Sequence, residues 1–215
     1  MSSTLILANG KPPTKRLLTK LRASADWFIC ADGGANTAAR YGCTPDLIVG
    51  DLDSISTGTR TRFHTVATKK MKDQNSTDLE KALNEAIRKK CQEIVVLGAT
   101  GGRLDHAIGN LSALAKFSPH SHITFIDENG TFTTIHRSMT LSLPIGTIIS
   151  LLPLTRCSGI ETRGLRWNLK NEFLELGVRE GHSNIIVSSP AKIKLKRGTL
   201  IVFIKTDNRF LLHEA

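Results

Sequence analysis

An α/β unit followed by an all-β unit is the fold class this sequence predicts, and three observations predict it. Up to residue 127, short apolar runs of strand type alternate with segments of helical period. Most of those apolar runs end in a glycine-rich or acidic junction. From Thr131 onward the helical period disappears, and short alternating runs separated by turn residues replace it. Strands joined by helix-length crossovers imply a mostly parallel, Rossmann-like twisted sheet with flanking helices. The later pattern implies a sandwich or small barrel. The boundary falls near Asp127 to Gly130, which divides the chain into domains 1–128 and 129–215.

The elements follow in order. Thr4 to Ala8 is a first strand, closed by Asn9-Gly10, and Thr14 to Ala23 can form a helix after Pro12-Pro13. Trp27 to Ala31 is a second strand ending at Asp32, and Ala35 to Tyr41 is a short helix stopped by Gly42. Leu47 to Val49 is a third strand. Ser54 to Lys72 is polar, with room for a helix near Gly58 to His64. Leu79, Ala82, Leu83, Ala86 and Ile87 repeat at helical spacing behind a Thr77/Glu80 capping box. Ile94 to Leu97 is a strand. The helix after it places Leu104, Ala107, Ile108, Leu111 and Leu114 on one apolar face. Ile123 to Ile126 completes the first unit. In the second, Met139 to Leu143, Thr147 to Leu152, Gly177 to Val187, Lys192 to Lys196 and Leu200 to Ile204 read as β segments.

Bulk properties narrow the function classes. The 215 residues are 40% hydrophobic and 22% charged, ordinary for a soluble globular protein. A net charge of +10 suits a nucleic-acid binder, and equally an enzyme that handles polyanionic nucleotides. The basic residues are scattered, and an aromatic fraction of 5% is poor material for base-stacking platforms, so nucleic acid is the weaker reading. The four cysteines form no Cys-x-x-Cys pair, which argues against a zinc knuckle and fits reduced thiols in a cytoplasmic protein. The N-terminus has neither a basic leader nor a long apolar core, and no apolar run reaches membrane-spanning length.

The chemistry concentrates at three strand-to-helix junctions. The first carries Asp32-Gly33-Gly34-Ala35-Asn36 and, one strand later, Gly50-Asp51-Leu52-Asp53-Ser54. The second is Asp73-Gln74-Asn75-Ser76-Thr77-Asp78, and the third is Gly101-Gly102-Arg103-Leu104-Asp105-His106. In a parallel sheet such junctions share one edge, where open α/β folds bind ligands. Gly33 and Gly34 let backbone approach a bulky anion, with free N–H groups at the helix start beyond them. Asp51 and Asp53 stand two apart, so extended backbone aims both carboxylates the same way. Carboxylates aimed together repel unless a cation lies between them, and hard oxygen ligands suit Mg²⁺ with phosphates. Asp32, Asp51, Asp53, Asp78 and Asp105 are the candidate ligands, and Arg103 can grip phosphate oxygens bidentately. A P-loop of the Gly-x-x-x-x-Gly-Lys type is missing, which leaves more charge neutralisation to the metal.

Those four motifs, in that order, resemble the thiamine pyrophosphokinase family. Gly164-Leu165-Arg166-Trp167 and Ser183-Asn184 are similar to its substrate-domain motifs, so the likeness spans nearly the whole chain. The sequence departs from many relatives at Asn75, where they carry an acidic residue. The resemblance implies a β-sandwich second domain that binds thiamine and dimerises. It also implies a homodimer with its site at or near the interface, and transfer of pyrophosphate from ATP to thiamine with release of AMP. It gives Asp51, Asp53, Asp78, Arg103 and Asp105 catalytic roles and Asp32, Gly33, Gly34, Asn36, Gln74, Thr77 and Arg103 nucleotide contacts. Trp167, Ser183 and Asn184 would bind the acceptor. From residue type alone, Trp167 is either a stacking surface for a cationic ring or a core aromatic, and Ser183-Asn184 is equally a β-turn pair. His106 reads as a local capping or packing residue. A hydroxymethyl pterin as acceptor is the neighbouring alternative, because the acidic junctions do not choose the acceptor.

Overall fold

The computed structural model describes residues 2–73 and 75–206. Within them the chain forms two compact units, one ending at Glu128 and the next starting at Asn129.

The first unit is built on six parallel strands in the order β6-β5-β1-β2-β3-β4. They are β1 (Ser3–Leu7), β2 (Trp27–Ala31), β3 (Leu47–Gly50), β4 (Ala67–Lys70), β5 (Glu93–Leu97) and β6 (His122–Ile126). The central strands are buried on both faces and accordingly read as unbroken apolar runs, such as Leu5-Ile6-Leu7 and Phe28-Ile29-Cys30. The crossovers are α1 (Lys15–Ser24), α2 (Gly34–Tyr41), α3 (Thr57–Arg62), α4 (Asp78–Arg88) and α5 (Leu104–Phe117). Their ends follow local chemistry. The Thr14 hydroxyl accepts from the Leu17 N–H to start α1. Gly42, at φ 77°, ends α2 in the left-handed region that glycine enters without penalty. Thr77 and Glu80 close the anticipated capping box on α4. Among the described residues, no helix is long and apolar enough to cross a membrane.

Two details depart from expectation. β4, Ala-Thr-Lys-Lys, is an exposed edge strand inside the segment read as polar. It carries no apolar alternation because it has no core face to fill, and its lysines discourage edge-to-edge pairing. In α5 the helical period is right but the buried face is not. Ala113, Leu114 and Phe117 are buried, whereas Leu104 is 74% and Ile108 58% exposed. The apolar residues of the first two turns stay exposed, and the buried contacts of α5 come from its later turns.

The second unit is a sandwich of two antiparallel four-stranded layers. One runs β12-β9-β14-β7 and the other β11-β10-β13-β8. The strands are β7 (Gly130–Ile135), β8 (Ser138–Leu141), β9 (Ile148–Pro153), β10 (Cys157–Arg163), β11 (Lys170–Leu174), β12 (Gly181–Ile185), β13 (Ala191–Lys194) and β14 (Leu200–Lys205). Ile149, Leu151, Leu200 and Val202 of one layer meet Cys157, Ile160, Leu174 and Ile193 of the other in a single core. Alternation is strict in β13, where Ala191 and Ile193 are buried while Lys192 and Lys194 face solvent.

The burial pattern of α5 yields a paired prediction. Leu114→Ala should lower unfolding stability by about 2–5 kcal/mol, while Ile108→Ala should change it by less than about 0.5 kcal/mol, measured by urea denaturation. Equal losses would contradict the observed face.

Candidate active site

The carboxyl edge of the first unit's sheet opens into a cleft of about 760 Å³. It begins where the strand order reverses, between β1 and β5, the usual ligand position in open α/β sheets. The loops after those two strands are joined by Gly10 N–H to Gly98 C=O (2.8 Å) and Lys11 N–H to Thr100 C=O (3.0 Å). They form one wall, and Asp32, Asp51 and Asp78 line another.

These three carboxylates each offer an oxygen within 4.8 Å of the others. Asp32 follows β2, Asp51 follows β3, and Asp78 is the first residue of α4, where the helix dipole favours an anion. Asp32 is 3% exposed, and its Oδ1 has no hydrogen-bond partner among the described residues. Burial raises its pKa from the ordinary carboxylate value, and its Asp78 and Asp51 neighbours push the same way. The backbone is also unusual here. Asp32 at φ 41° and Leu52 at φ 70° lie in the left-handed region, conformations that cost non-glycine residues energy and cluster at functional sites. Gly50 is required by contact: a Cβ there would fall 2.9 Å from the Asp32 Cβ and 3.1 Å from Asp78 Oδ1.

The left-handed Leu52 corrects the expectation for Asp53. Residues 51–53 form a turn in which the Asp51 side chain accepts from the Asp53 N–H (3.2 Å), not an extended pair. Asp53 is exposed, accepts from the Ser54 hydroxyl (3.1 Å) and stands outside the carboxylate group. Asn36 braces this turn: its Nδ2 donates to Ser54 C=O (2.8 Å) and its Oδ1 accepts from Ser56 N–H (3.0 Å). The Arg60 guanidinium caps the carbonyls of Leu52 and Ile55. Gly33 and Gly34 serve close packing. A Cβ at Gly34 would sit 2.1 Å from the Leu7 carbonyl oxygen, and one at Gly33 would sit 2.3 Å from the Asn9 amide. Asp53, Asn36, Gly33 and Gly34 therefore support the cleft from outside its lining.

Arg103, Asp105 and Thr77 do line it. The Arg103 Nε and Nη2 donate to the two Asp105 oxygens at 3.1 and 2.6 Å. These bonds hold the Asp105 carboxyl down to about 2. With both oxygens engaged, Asp105 orients the guanidinium and does not join the carboxylate group. The Thr77 hydroxyl accepts from the Glu80 N–H as the α4 cap (3.2 Å). Gln74 lies outside the described residues. Asp73 is engaged by Asn75 N–H (2.9 Å) and the Ser76 hydroxyl (2.5 Å), the latter chiefly lowering its pKa. His106 lies on the cleft rim. Sequence reasoning missed Lys81, Asn9 and Asn110, all of which line the cleft. Asn9 was visible only as half of a turn, and Lys81 lies off the apolar face of its helix.

In the second unit the two late motifs form one substructure. Arg166 N–H donates to Ile185 C=O (2.9 Å) and Val187 N–H to Gly164 C=O (2.8 Å). Asn184 is buried; its Oδ1 accepts from the Trp167 N–H (3.2 Å) and its Nδ2 donates to the Trp167 C=O (2.7 Å). Ser183, at φ 55°, occupies a register shift within β12 rather than a hairpin turn. Trp167 itself is 56% exposed and so is not a core residue; the Arg166 guanidinium lies 5.7 Å from its ring centre.

Fold and cleft together define an α/β enzyme with an acidic site at the carboxyl edge of a parallel sheet, followed by a β-sandwich. The chain matches the family models described as thiamin pyrophosphokinase, catalytic domain, over residues 18–126 and thiamin pyrophosphokinase, vitamin B1 binding domain, over residues 133–200. It is 31% identical over 212 residues to thiamine pyrophosphokinase 3 of Oryza sativa subsp. japonica, covering 85% of this chain and 78% of that relative. The crystal structure of thiamine pyrophosphokinase from Bacillus subtilis is similar with a TM-score of 0.83 at 26% identity, over 96% of this chain and 100% of that one. The yeast thiamin pyrophosphokinase structure has the same fold, with a TM-score of 0.84 at 21% identity over 95% and 86% of the two chains. The chain belongs to the thiamine pyrophosphokinase family.

The buried Asp32 carboxylate generates a prediction. Because its pKa is raised in the folded, metal-free protein, folding favours its protonated form. That contribution to stability weakens as pH climbs from the ordinary aspartate range through the raised value. Asp32→Asn should therefore leave the chelator-treated protein at least as thermally stable as wild type at pH 7, while turnover falls by orders of magnitude. A marked loss of stability would show that Asp32 is needed for folding itself.

Proposed function

We propose that this enzyme transfers the pyrophosphoryl group of ATP to the hydroxyethyl oxygen of thiamine, with Mg²⁺ held by Asp32, Asp51 and Asp78. As a thiamine pyrophosphokinase it forms thiamine diphosphate. The observation that carries the metal reading is the Asp32 Oδ1, buried with no hydrogen-bond partner among the described residues and beside two further carboxylates. Three convergent hard oxygen donors fit Mg²⁺, whereas softer metals prefer sulfur or imidazole. When bound, the ion neutralises negative charge on the polyphosphate. The chain's own groups do the positioning that dominates phosphoryl chemistry. Arg103, held flat by Asp105, presents its guanidinium to phosphate oxygens, and the Gly101-Gly102 turn brings backbone close to the polyphosphate. The thiamine oxygen forms its bond to the β-phosphorus in line with the breaking bond to the α–β bridging oxygen. AMP leaves with that oxygen, and the proton of the alcohol passes to solvent.

The second unit supplies the acceptor surface. The match of residues 133–200 to a vitamin B1 binding domain supports this reading. Trp167 offers an exposed aromatic face to the thiamine cation, and Asn184 fixes the backbone that carries it. On the same reading the enzyme is a cytoplasmic homodimer in which the acceptor surface works at or near the subunit interface, with neither nucleic acid nor a membrane as partner.

Incubation with ATP, Mg²⁺ and thiamine should yield AMP and thiamine diphosphate in equal amounts. EDTA should abolish turnover and excess Mg²⁺ restore it. ADP as the stoichiometric product, or full activity in chelator, would contradict the assignment. Asn184→Ala removes the two hydrogen bonds that hold the Trp167 backbone, worth about 1 kcal/mol each, and a third from the Ile185 N–H. It should raise KM for thiamine on the order of tenfold while KM for ATP stays within about twofold. An unchanged thiamine KM would detach Trp167 from acceptor binding.

A further inference from the structure

The first turn of α4 buries a positive charge inside the acidic cleft. Lys81 is 3% exposed, lines the same cleft as the three carboxylates, and places its Nζ 3.0 Å from Asp78 Oδ1. A lysine in that position is disfavoured twice. Burial strips water from the ammonium group, and the first turn of a helix is the positive end of its dipole. The buried acid of the helix does not offset these costs, because Glu85 is bonded to Lys69 (2.5 Å) and Arg88 (2.9 Å). The nearest compensating charge is Asp78, one of the Asp32, Asp51 and Asp78 group whose oxygens lie within 4.8 Å of one another, and Asp73 also lies within electrostatic reach of Lys81.

We propose that Lys81 is the resident counter-cation of this acidic group. It neutralises part of the group's charge in the nucleotide-free enzyme and engages the Asp78 oxygen that a divalent cation would draw on. The free enzyme therefore holds the cation weakly and takes it up together with the polyphosphate. Lys81 acts through Asp78 and is a positioning residue. This inference rests on the reading that the carboxylates take Mg²⁺, and its test is independent of turnover.

The probe is Mg²⁺ alone, titrated calorimetrically into nucleotide-free protein. Lys81→Met should bind Mg²⁺ about tenfold tighter than wild type or more, since removing one unit charge a few ångströms away strengthens attraction to a cation. Lys81→Arg, which keeps the charge, should stay within about threefold of wild type. In chelator, Lys81→Met should melt below wild type, and Mg²⁺ should raise its melting temperature more than it raises that of wild type. If Lys81→Met is too unstable to titrate, the Asp78→Asn/Lys81→Met pair decides. Lowering the carboxylate charge along with the lysine should return melting in chelator toward wild type. A pair as unstable as the single variant would make Lys81 a packing residue and overturn the proposal. So would Mg²⁺ affinity in Lys81→Met that is unchanged, weaker or undetectable. Wild-type turnover abolished by EDTA, with Mg²⁺ affinity unmoved by Lys81→Met, would reject the role of Lys81 and leave the metal reading intact. Full wild-type turnover in EDTA together with tighter Mg²⁺ binding by Lys81→Met would do the reverse.

Discussion

Like charges held together against their repulsion govern the architecture of the first unit. At 4.8 Å, two ionised carboxylates repel by roughly 3 kcal/mol at an effective dielectric of about 20, a large fraction of a domain's net stability. Several separate devices hold the three acids in place. β2 and β3, paired in parallel, bring the ends of their strands side by side. The left-handed Asp32 and Leu52 turn the chain sharply beyond each strand. Gly50 leaves room for Asp32 and Asp78 to approach, and the Thr77–Glu80 box fixes the residue before Asp78. Asn36 and Arg60 tie the loop after β3 to the neighbouring helices. Energy spent on converging charges makes chemical sense where a cation and a polyphosphate are to be bound.

The β-sandwich poses the complementary problem, holding an aromatic ring outside a core. Trp167 cannot be fixed by burial, so its backbone is fixed instead, through both hydrogen-bonding groups of the Asn184 amide. The irregular backbone at Ser183 brings that amide into place. Two motifs with 15 residues between them in the sequence thus act as a single structural device.

What could be read from the sequence depended on whether the signal was local. Unbroken apolar runs such as Leu5-Ile6-Leu7, the Thr77/Glu80 cap and Gly42 at the end of α2 announce themselves within a few residues, and the structure has each of them. The motifs at the strand ends are local in the same way, and several of their residues line one cleft at the carboxyl edge of the sheet. Properties that depend on tertiary surroundings were out of reach. β4 has lysines where a strand signal would be, because an edge strand need not be apolar. Leu104 and Ile108 carry the helical period but are exposed. Asp53 was paired with Asp51 by counting, and one positive φ at Leu52 undid the count. The burial of Lys81 could not be read from its place on the helix, because an Asp78/Lys81 pair three apart is equally at home on an exposed helix face.

The most direct measurement of whether these acids converge to hold a cation is anomalous diffraction from crystals grown with ATP and Mn²⁺, collected at the manganese edge. A peak should lie within ligand distance of Asp32, Asp51 and Asp78, with the Asp32 Oδ1 among its ligands. Clear density for bound ATP with no manganese at these three residues, or with manganese only elsewhere in the cleft, would contradict the reading.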